Sequence, residues 1–228
     1  MSETNSRHQS AQHFELHHED NGEAIVCMSH DNECSVLAQI AAEYSDVEEE
    51  FLATSVEQAL SAIDNYMEGR ASEVFQGLHI VLGEDLTSGG AEALPAENRV
   101  LLNGRKLSMS IADMRNTLDS YSDDELTGGS IDEHDPSGAL QYTLVHEMGH
   151  ILDERTLTGE SRHRVDAGES PTAYGRVPDE WHDEKDHEAF AEGFAHLVFG
   201  IPVSSVLETA VAETIESRLD EVDAAKTQ

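Results

Sequence analysis

The chain has 228 residues, of which 47 are acidic and 13 are lysine or arginine, and its formal net charge is −34. This length suits one domain with a sizeable core, and two full domains are not expected. The charge would repel polyanions, so nucleic acid and an anionic membrane are excluded as expected partners. Acidic residues are spread along the whole chain. This pattern favours the solubility adaptation of a halophilic protein over the alternative, a local interaction role.

Targeting signals and cysteines are sparse in this sequence. It has no run of about eighteen apolar residues, and its first residues form neither a basic nor an apolar signal region. These features predict a soluble, cytoplasmic protein. The only two cysteines, Cys27 and Cys34, do not provide a disulfide framework.

Residues 1–35 are polar and rich in histidine, with few apolar positions. Such a segment cannot bury enough surface to fold by itself, so we predict a flexible leader before a main domain at 36–228. Cys27, His30 and Cys34 are close enough in sequence to form a structural metal site. Solvated histidines and idle thiols are the alternative.

The next hundred residues contain helix and strand signals. Apolar residues at 36–67 keep a helical period, which predicts one long or broken helix. The apolar run at 78–82 predicts a core strand. Asn103-Gly104 separates strand-like runs at 99–102 and 105–109, and this dipeptide is the strongest short signal for a β-hairpin.

Shorter elements complete the predicted chain outside the central motif. Residues 111–118 resemble a short helix, and the acidic residues 119–136, with two adjacent glycines, predict a loop. Residues 203–222 predict a closing helix with acidic outer positions.

Residues 140–155, LQYTLVHEMGHILDER, contain the HExxH pattern at His146, Glu147 and His150. Apolar residues around the motif recur at helical spacing. On a helix, positions i and i+4 share a face, so both imidazoles can bind one metal ion while Glu147 points at its open side. This arrangement suits hydrolysis by zinc. Because the chain is rich in histidine and acid, an ordinary helix with two exposed histidines is the alternative.

A catalytic zinc takes three protein ligands and leaves one position open. The metzincin spacing fails here, because Asp153 and Thr156 occupy the positions where glycine and histidine are needed. In residues 186–199, Glu188 and Glu192 stack at i and i+4 beside an apolar face. Packing that helix on the HExxH helix would bring Glu188 to the metal and let Glu192 hydrogen-bond a ligand imidazole.

Three blocks in this order, HEMGHILD at 146–153, AYGR at 173–176 and EAFAEGF at 188–194, resemble the catalytic domain of the anthrax lethal factor family of gluzincin-type metallopeptidases. The resemblance covers about residues 137–200. It implies an α+β, zincin-like metallopeptidase fold with a small mixed sheet and an edge strand at the cleft. It also implies that the HExxH helix packs on a second ligand helix.

The resemblance further implies the roles of individual residues around one zinc ion per chain. The implied zinc ligands are His146, His150 and Glu188, and the implied general base is Glu147. Tyr174 would donate a hydrogen bond near the zinc-bound oxygen, with a simple turn residue as the alternative. Asp153 and Glu192 match family positions in the helix and behind the ligands.

The sequence therefore predicts a zinc metalloendopeptidase that cleaves a peptide or protein substrate by Glu147-assisted attack of zinc-bound water. The predicted hairpin upstream of the motif would supply an edge strand for an extended substrate. Two other functions stay open. One is a non-catalytic, zinc-containing binding or regulatory module, and the other is a metal-buffering protein that uses the histidine-rich leader.

The halophile interpretation predicts that stability rises with salt. A net charge of −34 repels itself in dilute buffer, and the screening length falls from about 10 Å at 0.1 M to about 3 Å at 1 M salt. The melting temperature, followed by circular dichroism, should therefore increase from dilute to molar KCl. An unchanged melting temperature would contradict this interpretation, and the charge would then require a partner to explain it.

Overall fold

The computed structural model describes residues 13–19, 23–30, 33–84, 90–117, 129–154, 165–172 and 182–227. Over these residues the chain has an α+β fold with one six-stranded mixed sheet and seven α-helices. The strands are β1 (His13–His18), β2 (Ala24–His30), β3 (Glu33–Ile40), β4 (Leu78–Leu82), β5 (Ala91–Leu94) and β6 (Arg99–Leu102). The helices are α1 (Asp46–Tyr66), α2 (Ala71–Val74), α3 (Gly104–Leu107), α4 (Ile111–Thr117), α5 (Gly138–Glu154), α6 (His182–Val198) and α7 (Ser205–Ala225).

The strand order in the sheet is β1-β2-β3-β4-β6-β5. The pairs β1 with β2 and β2 with β3 are antiparallel, whereas β3 with β4 and β4 with β6 are parallel. At the far edge, a 3-10 turn at Pro95–Glu97 connects β5 to β6, and these two strands pair antiparallel. The sheet therefore ends on an antiparallel edge strand, and β6, α3 and α4 separate this strand from the HExxH helix α5 in sequence.

One face of the sheet forms the core with α1 and α5. Because side chains alternate along a strand, every second residue of the central strands is fully buried on this face. These residues are Val36, Ala38, Ile40, Ile80 and Leu82. Helix α5 is buried on nearly every side and lies between the sheet, α1 and α6. The HExxH motif is thus carried by the most enclosed helix in the described part of the chain.

The prediction of a flexible leader is wrong for the described residues before position 36. They form β1, β2 and the start of β3, and Val26 and Met28 of β2 are fully buried. Few apolar residues are needed here, because they alternate and pack on a core supplied by the rest of the chain. Composition alone does not detect such a strand pair.

The predicted helix at 36–67 is corrected in its first part. Residues up to Ile40 belong to β3, where Val36, Ala38 and Ile40 alternate toward the core. Helix α1 starts later, after Ser45, whose side chain forms a capping box with Glu48. The strand predicted at 78–82 and the short helix predicted at 111–118 are confirmed, the helix to within one residue.

The hairpin predicted at Asn103-Gly104 is also wrong. The Asn103 side chain accepts a hydrogen bond from the Lys106 N–H at 3.0 Å and so caps α3. A Cβ on Gly104 would lie 2.8 Å from a methyl carbon of Leu52, so this glycine is needed for close packing rather than for a turn. The hairpin is instead formed by β5 and β6, and β5 is the edge strand.

Cys27 and Cys34 form a disulfide between β2 and the beginning of β3. The predicted metal site at Cys27, His30 and Cys34 is therefore corrected, because disulfide sulfurs are not thiolate ligands. Neither cysteine is an idle thiol. None of the described helices has the length and apolarity that a membrane span requires.

Loss of the disulfide should destabilise the β2–β3 hairpin. For a loop of this size, the chain-entropy argument gives a loss of about 2 to 3 kcal/mol. We expect a lower denaturant midpoint for the parent protein in reductant than in its absence. The Cys27→Ser/Cys34→Ser double variant should match the reduced parent and should not respond to reductant. Equal midpoints for the oxidised and reduced parent would contradict the prediction.

Candidate metal centre

The site is built on the packing of α5 against α6. The two helices approach so closely that a Cβ at Gly149 would lie 2.8 Å from the Cα of Ala191. A glycine inside a helix costs about 1 kcal/mol relative to alanine, so its place here is explained by the close approach. In sequence, Gly149 lies between His146 and His150 on α5, and Ala191 lies between Glu188 and Glu192 on α6. The point of closest approach therefore falls among these four side chains.

The three predicted zinc ligands, His146, His150 and Glu188, come together at this contact. The two Nε2 atoms are 3.1 Å apart, and Oε2 of Glu188 lies 3.2 Å from Nε2 of His146 and 3.6 Å from Nε2 of His150. A tetrahedral zinc ion with bonds of about 2.0 to 2.2 Å needs ligand atoms roughly 3.3 to 3.6 Å apart. One observed separation lies within that range and the other two are about 0.1 to 0.2 Å shorter, so the group could hold a metal ion after a small adjustment.

The orientation of the His146 ring also suits a metal ligand. Its Nδ1 lies 3.2 Å from Oε1 of Glu192, which is fully buried on α6. A ring proton on Nδ1, facing Glu192, would leave the lone pair of Nε2 directed toward His150 and Glu188. Two imidazole nitrogens and a carboxylate oxygen are a donor set typical of catalytic zinc.

Charge at the site is concentrated and mostly hidden from water. Burial alone would lower the pKa of His146, but contacts with the carboxylates of Glu188 and Glu192 raise it well above its usual value. Burial alone would raise the pKa of Glu188, yet the imidazoles of His146 and His150 lower it. The carboxylates therefore stay ionised and create a site that attracts a cation.

Glu147 is buried beside the ligand group but is not part of it. Burial raises the pKa of its carboxyl group, and the neighbouring imidazoles offset only part of this effect. The carboxylate also accepts a hydrogen bond from the backbone N–H of Ala93 on β5. The edge strand of the sheet is thus in direct contact with the residue predicted to act as the base.

Asp153 supports the site through a neighbour of Glu188. It is buried on α5, and its Oδ2 lies 2.6 Å from Nδ1 of His187 on α6. This contact joins the end of α5 to the first half of α6 next to the ligand Glu188. This partner of Asp153 is thus the residue next to Glu188 in sequence, and the role that the resemblance implies for Asp153 stays a prediction.

Tyr174, the predicted hydrogen-bond donor, lies outside the described residues, as does the whole AYGR block. A different tyrosine, Tyr142, was missed in the sequence. Its hydroxyl donates to Oε2 of Glu192 at 2.5 Å. The helical spacing could have indicated this contact, because Tyr142 precedes His146 by one turn of α5 and Glu192 follows Glu188 by one turn of α6.

Comparison of the chain with protein-family models, with curated proteins and with solved structures found no match. The resemblance to lethal factor-type catalytic domains therefore depends on the residues themselves. Two of its three blocks lie in the described helices α5 and α6.

The ligand group predicts one zinc ion per chain. Glu188→Ala removes one ligand atom and should weaken zinc binding by at least about a hundredfold, beyond the 10- to 100-fold typical for residues that only support a ligand. Competition with a chromophoric chelator would measure the affinity, and elemental analysis would give the stoichiometry.

The matched control is Glu216→Ala, which removes an exposed carboxylate from α7. This variant should bind zinc as tightly as the parent. Equal losses in the two variants would indicate a nonspecific effect of charge, and the assignment of Glu188 would then be wrong.

Proposed function

We propose that this protein is a zinc-dependent metallopeptidase that hydrolyses peptide bonds in a peptide or protein substrate. The observation that carries the proposal is the position of Glu147 between the ligand group and the strand β5. A buried carboxylate next to a candidate metal centre and a strand edge is the arrangement that peptide hydrolysis requires. We further propose a zincin-like fold and kinship with the lethal factor-type catalytic domains.

His146, His150 and Glu188 would hold the zinc ion, and their donor separations support this choice of metal. When bound, zinc supplies a Lewis acid that polarises the scissile carbonyl and lowers the pKa of a coordinated water. Glu192 fixes the His146 ring through its contact with Nδ1. With two neutral imidazoles and one carboxylate, the centre keeps a net positive charge.

Glu147 would accept a proton from the attacking water and then deliver it to the leaving amine. Its raised pKa supports this role, because the buried carboxylate takes up a proton more readily than an exposed one. Burial of the carboxylate keeps bulk water from competing for that proton. Tyr174 remains the proposed donor to the oxyanion that forms on the substrate carbonyl.

Strand β5 offers a means of aligning an extended substrate. The Ala93 N–H points to Glu147 and not to β6, so Ala91 and Ala93 direct their backbone groups away from the sheet. An extended peptide could pair with those groups as an additional strand. The side chains at both positions are small, which leaves the backbone accessible.

The proposal assigns no compartment. The sequence features predict the cytoplasm, whereas the disulfide between Cys27 and Cys34 is of a type that persists mainly in oxidising surroundings. Metal buffering by the histidine-rich leader stays the other alternative, and metal stoichiometry distinguishes it, since a buffer should bind several ions per chain. A halophilic setting remains a proposal.

Replacement of the base should separate catalysis from metal binding. Glu147→Gln keeps the shape of the side chain and leaves the ligand group intact, so zinc should stay bound. Hydrolysis should fall by about a hundredfold to ten-thousandfold, the usual contribution of a general base. The assay is cleavage of a broad peptide library in molar KCl, read by mass spectrometry, with zinc content measured on the same samples.

Glu216→Gln on α7 is the control and should cleave as fast as the parent. If Glu147→Gln cleaves as fast as the parent, the proposed mechanism is wrong. If the zinc-loaded parent cleaves nothing in the library, the zinc-containing binding module becomes the better explanation.

A further inference from the structure

Tyr142 occupies a buried position on α5, one helical turn before His146. Its side chain is 2% exposed, and its hydroxyl donates to Oε2 of Glu192 at 2.5 Å. The ring stacks on Phe199 at 6.3 Å between centroids and contacts the ring of His196 edge-on at 5.9 Å. Aromatic packing therefore holds the Tyr142 ring in place, and the Tyr142 hydroxyl makes a polar contact with Glu192 beside the centre.

Glu192 connects this hydroxyl to the metal centre. The residue is 0% exposed, and its two carboxylate oxygens have different partners. Oε2 accepts from Tyr142, whereas Oε1 lies 3.2 Å from Nδ1 of His146. A continuous line of contacts thus runs from the Tyr142 hydroxyl through Glu192 and the His146 ring to the point where the three ligand atoms meet.

We infer that Tyr142 is a positioning residue of the metal centre, which acts through Glu192 to fix the His146 ring for metal binding. The inference rests on the proposed metal centre. A carboxylate without water around it needs hydrogen bonds to both oxygens, and losing one donor leaves an unsatisfied charge. Glu192 can then rotate away from His146 to find another partner, and the ring loses the contact that sets its tautomer and direction.

The geometry explains why the hydroxyl matters more than the ring. Tyr142 and His146 lie on the same face of α5, whereas Glu192 approaches from α6. The hydroxyl therefore restrains Glu192 from the side opposite to His146, and the carboxylate is held between two groups of one rigid helix. Phenylalanine at this position would keep the packing with Phe199 and remove the hydroxyl that donates to Glu192.

The first measurement is the zinc affinity of Tyr142→Phe, obtained by chelator competition on the full chain. Residues that hydrogen-bond a ligand typically change metal affinity by 10- to 100-fold. Because Tyr142 acts one contact further out, we expect a loss of about tenfold. The visible spectrum of the cobalt-substituted protein should change as well, since it reports the arrangement of the ligands.

The matched control is Tyr44→Phe, which removes the hydroxyl of another buried tyrosine, one whose hydrogen bond and cation–π contact do not involve the centre. The Tyr44 hydroxyl accepts a hydrogen bond from the backbone N–H of Gly104 at 3.1 Å. Its loss should lower the melting temperature while zinc affinity and the cobalt spectrum stay as in the parent. A purely structural role of Tyr142 would give the same result for both variants.

A double-mutant cycle tests whether Tyr142 acts through Glu192. Glu192→Gln should weaken zinc binding alone, and adding Tyr142→Phe to it should weaken binding no further. Additive losses of zinc affinity in the double variant would overturn the inference, and so would parent-like zinc affinity in Tyr142→Phe. Neither result would contradict the zinc centre of the parent protein. A parent that binds no zinc would instead overturn the proposed function and the inference together. Should Tyr142→Phe fail to fold, parent-like affinity in Glu192→Gln would overturn the inference by itself.

Discussion

The close packing of α5 on α6 is the constraint on which the candidate centre depends. Gly149 and Ala191 allow the helix axes to approach, since any larger side chain at position 149 would meet the backbone of α6. His146 and His150 flank the glycine on one helix, and Glu188 and Glu192 flank the alanine on the other. The contact between these small residues thus sets the distances from Glu188 to both imidazoles, whereas the spacing within α5 sets the distance between the two imidazoles.

This packing also brings several ionisable side chains together in the protein interior, where a single unpaired charge would be destabilising. Ionised groups taken out of water cost several kcal/mol each unless they are paired. Here Glu188 and Glu192 contact His146 from two sides, and Tyr142 donates to the second carboxylate oxygen of Glu192. Glu147 is buried nearby with a raised pKa. A divalent cation at the meeting point of the ligand atoms would neutralise the remaining negative charge, so metal binding and stability should be linked.

The sequence predicts the centre better than it predicts the sheet, and the reason is physical. His146, Glu147 and His150 lie within one helix, so spacing alone places them on one face. The position of Glu188 could be predicted because it lies beside the apolar face by which a second helix packs on the first. The strands β1 and β2 depend on pairing with β3 and on a core built by distant residues, which their polar composition does not reveal. Asn103-Gly104 illustrates the same limit, because Leu52 and Tyr44 decide that this dipeptide begins a helix. Cys27 and Cys34 pair because the β2–β3 register brings them together, and spacing gave no such indication.

The sheet order connects the centre with the proposed substrate. Parallel pairing of β3, β4 and β6 fills the core against α5, and the antiparallel β5 then ends the sheet beside Glu147. Because Glu147 accepts from the Ala93 N–H, this donor of the edge strand is already engaged. The Ala91 N–H and the carbonyl groups of both alanines remain directed outward. If the edge strand binds a peptide, these groups restrict the register in which it can pair, and that register determines which peptide bond faces Glu147. Under the proposed function, strand topology rather than a side-chain pocket would then be the first determinant of the cleavage position.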